Sequence, residues 1–162
     1  MAAFVNTSRV VLLGTAWTGT APGLPGTQTI SGTITSSQDI SAYVRSGDQG
    51  TSVAMQDGTT FGNGGFTVQY PGLQSGDDIT FDLVADFAAT TIYPIIQTTL
   101  GGLGALVYVD LKPATGSRSA TNPSFVAAGY VSAWGPIRGA VGDLASHQLT
   151  ISITGRFGYL TS

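Results

Sequence analysis

Two stretches of the chain alternate residue by residue. From Ile79 to Phe87, the side chains Ile79, Phe81, Leu83, Ala85 and Phe87 interleave with Thr80, Asp82, Val84 and Asp86. From His147 to Phe157, the side chains His147, Leu149, Ile151, Ile153, Gly155 and Phe157 interleave with Gln148, Thr150, Ser152, Thr154 and Arg156. A period of two puts one set on each face of an extended strand, so each stretch predicts a half-buried antiparallel strand. Weaker patterns predict a first strand around Ser8–Leu13, a short exposed strand or ordered arm over 28–35, and a short strand from Phe66 to Tyr70. Two more strands are predicted over Ala105–Leu111 and Phe125–Trp134, the second closed by Gly135–Pro136. Pro71–Gly72 and Gly76–Asp77 read as turns, because Pro pre-sets φ and Gly accepts positive φ. Ile137–Asp143, with two glycines, predicts a turn or bulged segment.

One stretch carries a different period. Ile92, Ile95, Ile96 and Leu100 fall at helical spacing. Thr90 or Thr91 supplies an N-cap, Pro94 suits a first turn where its missing N–H costs nothing, and Gly101–Gly102 ends the segment. Residues 45 to 65 show little alternation and are rich in Gly, Ser, Thr and Asp, which predicts a long loop or hairpin. Many short strands, frequent turns and one helix predict an all-β fold. The expected architecture is a single domain over residues 1–162, an antiparallel β-sandwich or small barrel with one flanking α-helix, a long loop and an N-terminal arm or strand.

Composition changes the picture of the surface. Only 9% of the 162 residues are charged, against roughly 25% in an average soluble chain. The chain has no Glu and no Cys, and its nine Asp face five Arg and one Lys. A surface so poor in charge predicts an obligate oligomer rather than a free monomer. The cations Arg9, Arg45, Lys112, Arg118, Arg138 and Arg156 are scattered, so no basic cluster serves sequence-specific nucleic-acid binding. The apolar run Val10–Leu13 is far shorter than the roughly 20 residues of a membrane span, and no membrane partner is expected.

The search for chemistry ends without a site. His147 is the single histidine and has no Cys or Glu to work with, so it reads as structural. No nucleophile elbow, P-loop or dinucleotide fingerprint occurs. The carboxylates Asp78, Asp82 and Asp86 share one predicted strand face, but four residues along a strand span about 13 Å. That is too far for two of them to ligate one ion or act as an acid–base pair. They read as an acidic stripe. No enzyme activity and no cofactor is expected.

Three short segments add a resemblance. Asp39–Ile40–Ser41–Ala42–Tyr43–Val44, Thr59–Thr60–Phe61–Gly62 and Tyr70–Pro71–Gly72–Leu73–Gln74–Ser75–Gly76 followed by an alternating strand resemble, in order and spacing, the tail tube proteins of tailed bacteriophages. The resemblance covers residues 39 to 87. It implies a virion protein of the tail, assembled in the host cytoplasm, whose copies form stacked six-fold rings around a channel for the genome. Its partners would be further copies of itself and the tape measure, terminator and distal tail proteins, with DNA passing non-specifically. The region around Arg45, Asp48, Asp57 and Phe61 would then contact the neighbouring ring. The chain departs from the family in carrying so few charges, so the family's charged contacts do not transfer to it. A channel that passes DNA must not hold it, which nominates the acidic face of Asp78, Thr80, Asp82 and Asp86 as channel lining. The alternative is a capsid-decorating or carbohydrate-binding β-sandwich module, for which Trp17, Trp134 and the six Tyr are available.

Overall fold

The protein is described here by a computed structural model, which defines residues 9–23, 29–48, 51–57, 69–88 and 90–162. Among these residues all strand pairing is antiparallel. The strands are β1 (Val10–Thr18), β2 (Thr33–Asp39), β3 (Val44–Asp48), β4 (Thr51–Asp57), β5 (Gln69–Gly76), β6 (Ile79–Val84), β7 (Leu106–Lys112), β8 (Ser124–Arg138) and β9 (Ser146–Leu160). Seven of them form one sheet in the order β2-β1-β7-β8-β9-β6-β3, and β4 pairs only with β5.

Chain connectivity forces this sheet to curl. Strands β2 and β3 lie at its two ends. A flat seven-stranded sheet would hold them about 29 Å apart at ~4.8 Å per strand. Yet β2 stops at Asp39 and β3 starts at Val44, a step of at most about 18 Å. The corner between them is hydrogen-bonded to both sides: Ile40 N–H donates to Val11 O (3.0 Å), and Val84 N–H donates to Tyr43 O (2.8 Å). Asp39 Oδ1 accepts from the Ser41 amide (2.9 Å) and from its hydroxyl, and Ser41 Oγ in turn accepts the Val11 amide (2.8 Å). The Asp39–Val44 segment is therefore the corner that joins the two edge strands of the curled, open sheet, and Ile40 is its fully buried plug.

The core lies on one face of this curled sheet. Ile79, Phe81 and Leu83 of β6 meet Leu149 and Ile151 of β9, Val107 and Val109 of β7, and Val11 and Leu13 of β1. The helical segment covers them with Ile92, Ile96 and Leu100, all buried. At full burial each such side chain contributes roughly 1.5–3 kcal/mol. This segment is one short α-turn, α1 (Ile92–Pro94), that widens into a π-turn over Ile95–Thr99. Leu100 N–H closes the wide turn on Ile95 O at 2.9 Å, and the chain leaves through Gly101 at φ 86°. Thr91 occupies the N-cap position, but its hydroxyl does not cap a helix amide. It is directed instead to the carbonyl oxygens of Asp86 and Ala88 (3.0 and 2.7 Å).

Five sequence-based boundaries change. The first strand begins at Val10 and runs to Thr18, and the second starts at Thr33, not within 28–32. Pro71–Gly72 is no turn: it lies inside β5, opposite Met55, where the register shifts between Val53 and Met55. Proline is tolerated there because a bulge on a two-stranded ribbon does not demand its missing N–H. Gly135–Pro136 does not close β8 either; the strand continues to Arg138 through a register shift between Gly135 and Arg138. Finally β6 stops at Val84, because Asp86 N–H turns away to donate to His147 Nε2 (3.2 Å). Phe66–Val68 and Ser8 lie outside the described residues.

Candidate assembly surface

Between β3 and β6, which pair with each other, the chain inserts β4 and β5. Thr51 pairs with Gly76 and Asp57 with Gln69, so β4–β5 continues the β3–β6 hairpin beyond the barrel as a two-stranded ribbon. At its base Gly76 crosses β9 so closely that a Cβ there would stand 2.7 Å from both Ile153 Cγ2 and Phe157 Cε2. Further out the ribbon loses contact with the body. Ala54, Met55, Gln56 and Asp57 are consecutive and all exposed, with Met55 at 52%. Consecutive strand residues point to opposite faces, so neither face of the ribbon is covered there. Isolated two-stranded ribbons are marginal in water. From Thr51 to Gly76 the sequence carries one charge, Asp57.

The opposite end of the same strands holds a cleft of about 680 Å³. Arg45 and Ser46 come to it from the start of β3, Asp82 from β6, Arg138 from the end of β8, and Ser146 and Gln148 from the start of β9. Asp82 is fixed in its wall: Oδ2 accepts from Ser46 Oγ (3.1 Å) and Oδ1 from Gln148 Nε2 (3.4 Å). The guanidinium groups of Arg45 and Arg138 are exposed, and neither has a hydrogen-bond or ion-pair partner among the described residues. Arg118 behaves differently. It is partly buried in an ion pair with the buried Asp110 (3.1 Å) and also donates to Ser124 Oγ (2.9 Å) and Gly32 O (2.6 Å). Arg9 and Lys112 donate to the carbonyl oxygens of Gly47 and Gly116. Ile137 near the end of β8 and Val141 and Leu144 in the turn that follows are exposed.

Of the nominated acidic stripe, Asp78, Thr80 and Asp82 follow one polar side against Ser152, Thr150 and Gln148 of β9, and Asp86 lies beyond the end of the strand. Thr80 and Asp82 lie on the polar side of β6, and Thr80 pairs with Thr150 of β9. Asp78 precedes the strand and accepts from Ser152 Oγ (2.8 Å), while Asp86 follows it and accepts the Ala88 amide (3.0 Å). The strand is simply too short to hold all three carboxylates, and Asp82 shares its cleft with two arginines. The nominated contact residues also separate. Arg45 and Asp48 belong to β3 in the barrel, Asp57 to the ribbon, and Phe61 lies outside the described residues.

Arg138 was not nominated from the sequence. The Gly135–Pro136 stop signal hides the continuation of β8, and nothing local reveals that Arg138 and Arg45 converge. His147 is a structural residue: it is fully buried, its Nδ1 lies 2.5 Å from Pro136 O and its Nε2 accepts from the Asp86 amide. Phe87, Tyr93 and Trp134 pack around it with ring centroids 5.0, 6.2 and 5.1 Å away.

No known family model matches the chain, and no curated protein does. A solved structure does match its fold: a chain from the virion of a native gene transfer agent particle, at TM-score 0.53 and 18% identity. The match covers 76% of this chain and 88% of that one.

Proposed function

We propose that this protein is a structural virion subunit, a tail tube protein whose copies assemble into stacked rings and enclose the channel through which the genome leaves. It does no chemistry of its own. The observation that carries the reading is the β4–β5 ribbon, whose Ala54–Asp57 stretch is exposed on both faces and which carries a single charge along its length. Such a ribbon gains its stability from a second surface, and in a chain this poor in charge the natural second surface is another copy. The small barrel, the short helical segment and the Asp39–Val44 corner suit that role, and the fold likeness to a chain of a virion supports it.

The test is assembly of the purified chain, followed by electron microscopy and sedimentation. Rings or tubes are the expected product. Replacing residues 54–71 by a short turn should leave a folded monomer with its cooperative unfolding intact and abolish polymerisation. A wild-type chain that stays monomeric at high concentration overturns the reading, and so do normal tubes from the shortened chain.

A further inference from the structure

We infer that the cleft between Arg45 and Arg138 is a phosphate site, and that the group it fits is the singly charged diester of a nucleic-acid strand. Arg45 reaches the cleft from β3 and Arg138 from the end of β8, so two cations remote in the sequence meet there. Among the cations whose side chains are described, they are the two with neither a hydrogen bond nor an ion pair. Asp82 is the one carboxylate among the described residues that line the cleft, and its oxygens already accept from Ser46 and Gln148. Two guanidinium groups and one carboxylate leave the cleft with one net positive charge, in a chain whose formal net charge is −3 at pH 7. An unpaired guanidinium fork selects an oxyanion through its paired N–H donors.

A second copy is a poor source of that anion. Every Asp whose side chain is described already has a partner within its own chain. Charge then separates the phosphates. A monoester carries about −1.5 to −2 at neutral pH and overfills a cleft with one positive charge to spare. A diester carries a single charge shared by two oxygens, one for each guanidinium. The space also continues past its charged centre. A smaller cleft of about 260 Å³ adjoins it, shares Arg45 and Ser46, and follows β3 to Gly47. A groove that runs on suits a strand, whose sugars and bases need room, better than an isolated ion. Such a site grips a backbone and reads no bases. The inference stands apart from the tube reading, because one unassembled chain carries the whole cleft.

Fluorescence anisotropy of a dye-labelled tetrathymidylate, short enough to engage one cleft, tests the site. With two phosphate-binding cations the affinity should fall about 25-fold between about 20 and about 200 mM salt, since each contact on a single strand adds a log–log slope of about 0.7. Arg45→Gln and Arg138→Gln should each lower that slope by about 0.7, and the double variant should abolish binding. Arg45→Lys and Arg138→Lys should keep more affinity than the Gln variants, because they retain the charge and lose the fork. The same tetramer with a neutral methylphosphonate backbone should not bind. Thermal transitions that match the parent separate a lost site from lost folding. Sedimentation fixes the assembly state of each sample, and chains are compared in the same state, so failure to form tubes leaves the result readable. A double variant that binds like wild type overturns the inference, and so does a methylphosphonate strand bound as well as the phosphate one. Tetraglutamate that displaces the strand at equal concentration makes the cleft a carboxylate receptor and overturns the phosphate assignment. Inorganic phosphate that binds where the strand does not overturns the diester.

Discussion

The β6–β9 pair and the β4–β5 pair are both antiparallel, and their physical situations are opposite. In the first, Ile79, Phe81 and Leu83 lie against Leu149, Ile151 and His147, and all of these are at most 1% exposed. Its other face is a polar ladder of Thr80 with Thr150 and Asp82 with Gln148. In the second, four consecutive described residues of β4 are exposed. The β6–β9 pair is written in the sequence as strict alternation because one face must exclude water. Over Ala54–Asp57 the ribbon has no such covered face, and β5 tolerates Pro71 in mid-strand. Poor periodicity in a hydrogen-bonded strand thus marks backbone held outside the core.

If that contrast is right, substitutions in the barrel act on folding and those in the ribbon act on assembly. The largest effect should come from Phe81→Ala. The ring is 1% exposed in the centre of the core, and its loss should lower the unfolding free energy by about 3–5 kcal/mol, read by urea unfolding of the unassembled chain. An effect below ~1 kcal/mol would show that β6 is not where the barrel is held. Next is Arg118→Ala. It strands the Asp110 carboxylate, which is 2% exposed and has Oδ1 already unpartnered, and it should cost about 3 kcal/mol in the same measurement. This sharpens the contrast between cations, because Arg118 is engaged within its own barrel and Arg138 is not. The smallest effect on folding should come from Met55→Ala on the ribbon, within about 0.5 kcal/mol for the unassembled chain. The same substitution should still weaken assembly measurably, and a stability loss of 2 kcal/mol or more would mean that the ribbon packs on its own barrel.

Much of the barrel was legible. The two alternating stretches became β6 and β9, since a period of two is the direct trace of a half-buried strand. The helical stretch lay where Ile92, Ile96 and Leu100 repeat, and those three side chains are the ones buried. Turn signals were less dependable. Pro71–Gly72 and Gly135–Pro136 carry the local chemistry of a turn, but a bulge absorbs the missing proline donor when the partner strand continues to pair.

The candidate surface was only half visible. Arg45 and Asp57 could be singled out as charges in an otherwise neutral region. Whether they belong to one loop or to two ends of a subunit depends on how β3 pairs with β6, and no local pattern carries that information. The sequence alone determined the strands of the core, the position of the helical segment and the scarcity of charge, because each follows from residue type and near-neighbour spacing. Tertiary structure alone decided three things: that Asp39–Val44 joins the two edge strands of the curled sheet, that the β4–β5 ribbon prolongs the β3–β6 hairpin, and that Arg138 meets Arg45. Each of these depends on which distant strands share hydrogen bonds, and that is settled by the burial of the whole sheet at once.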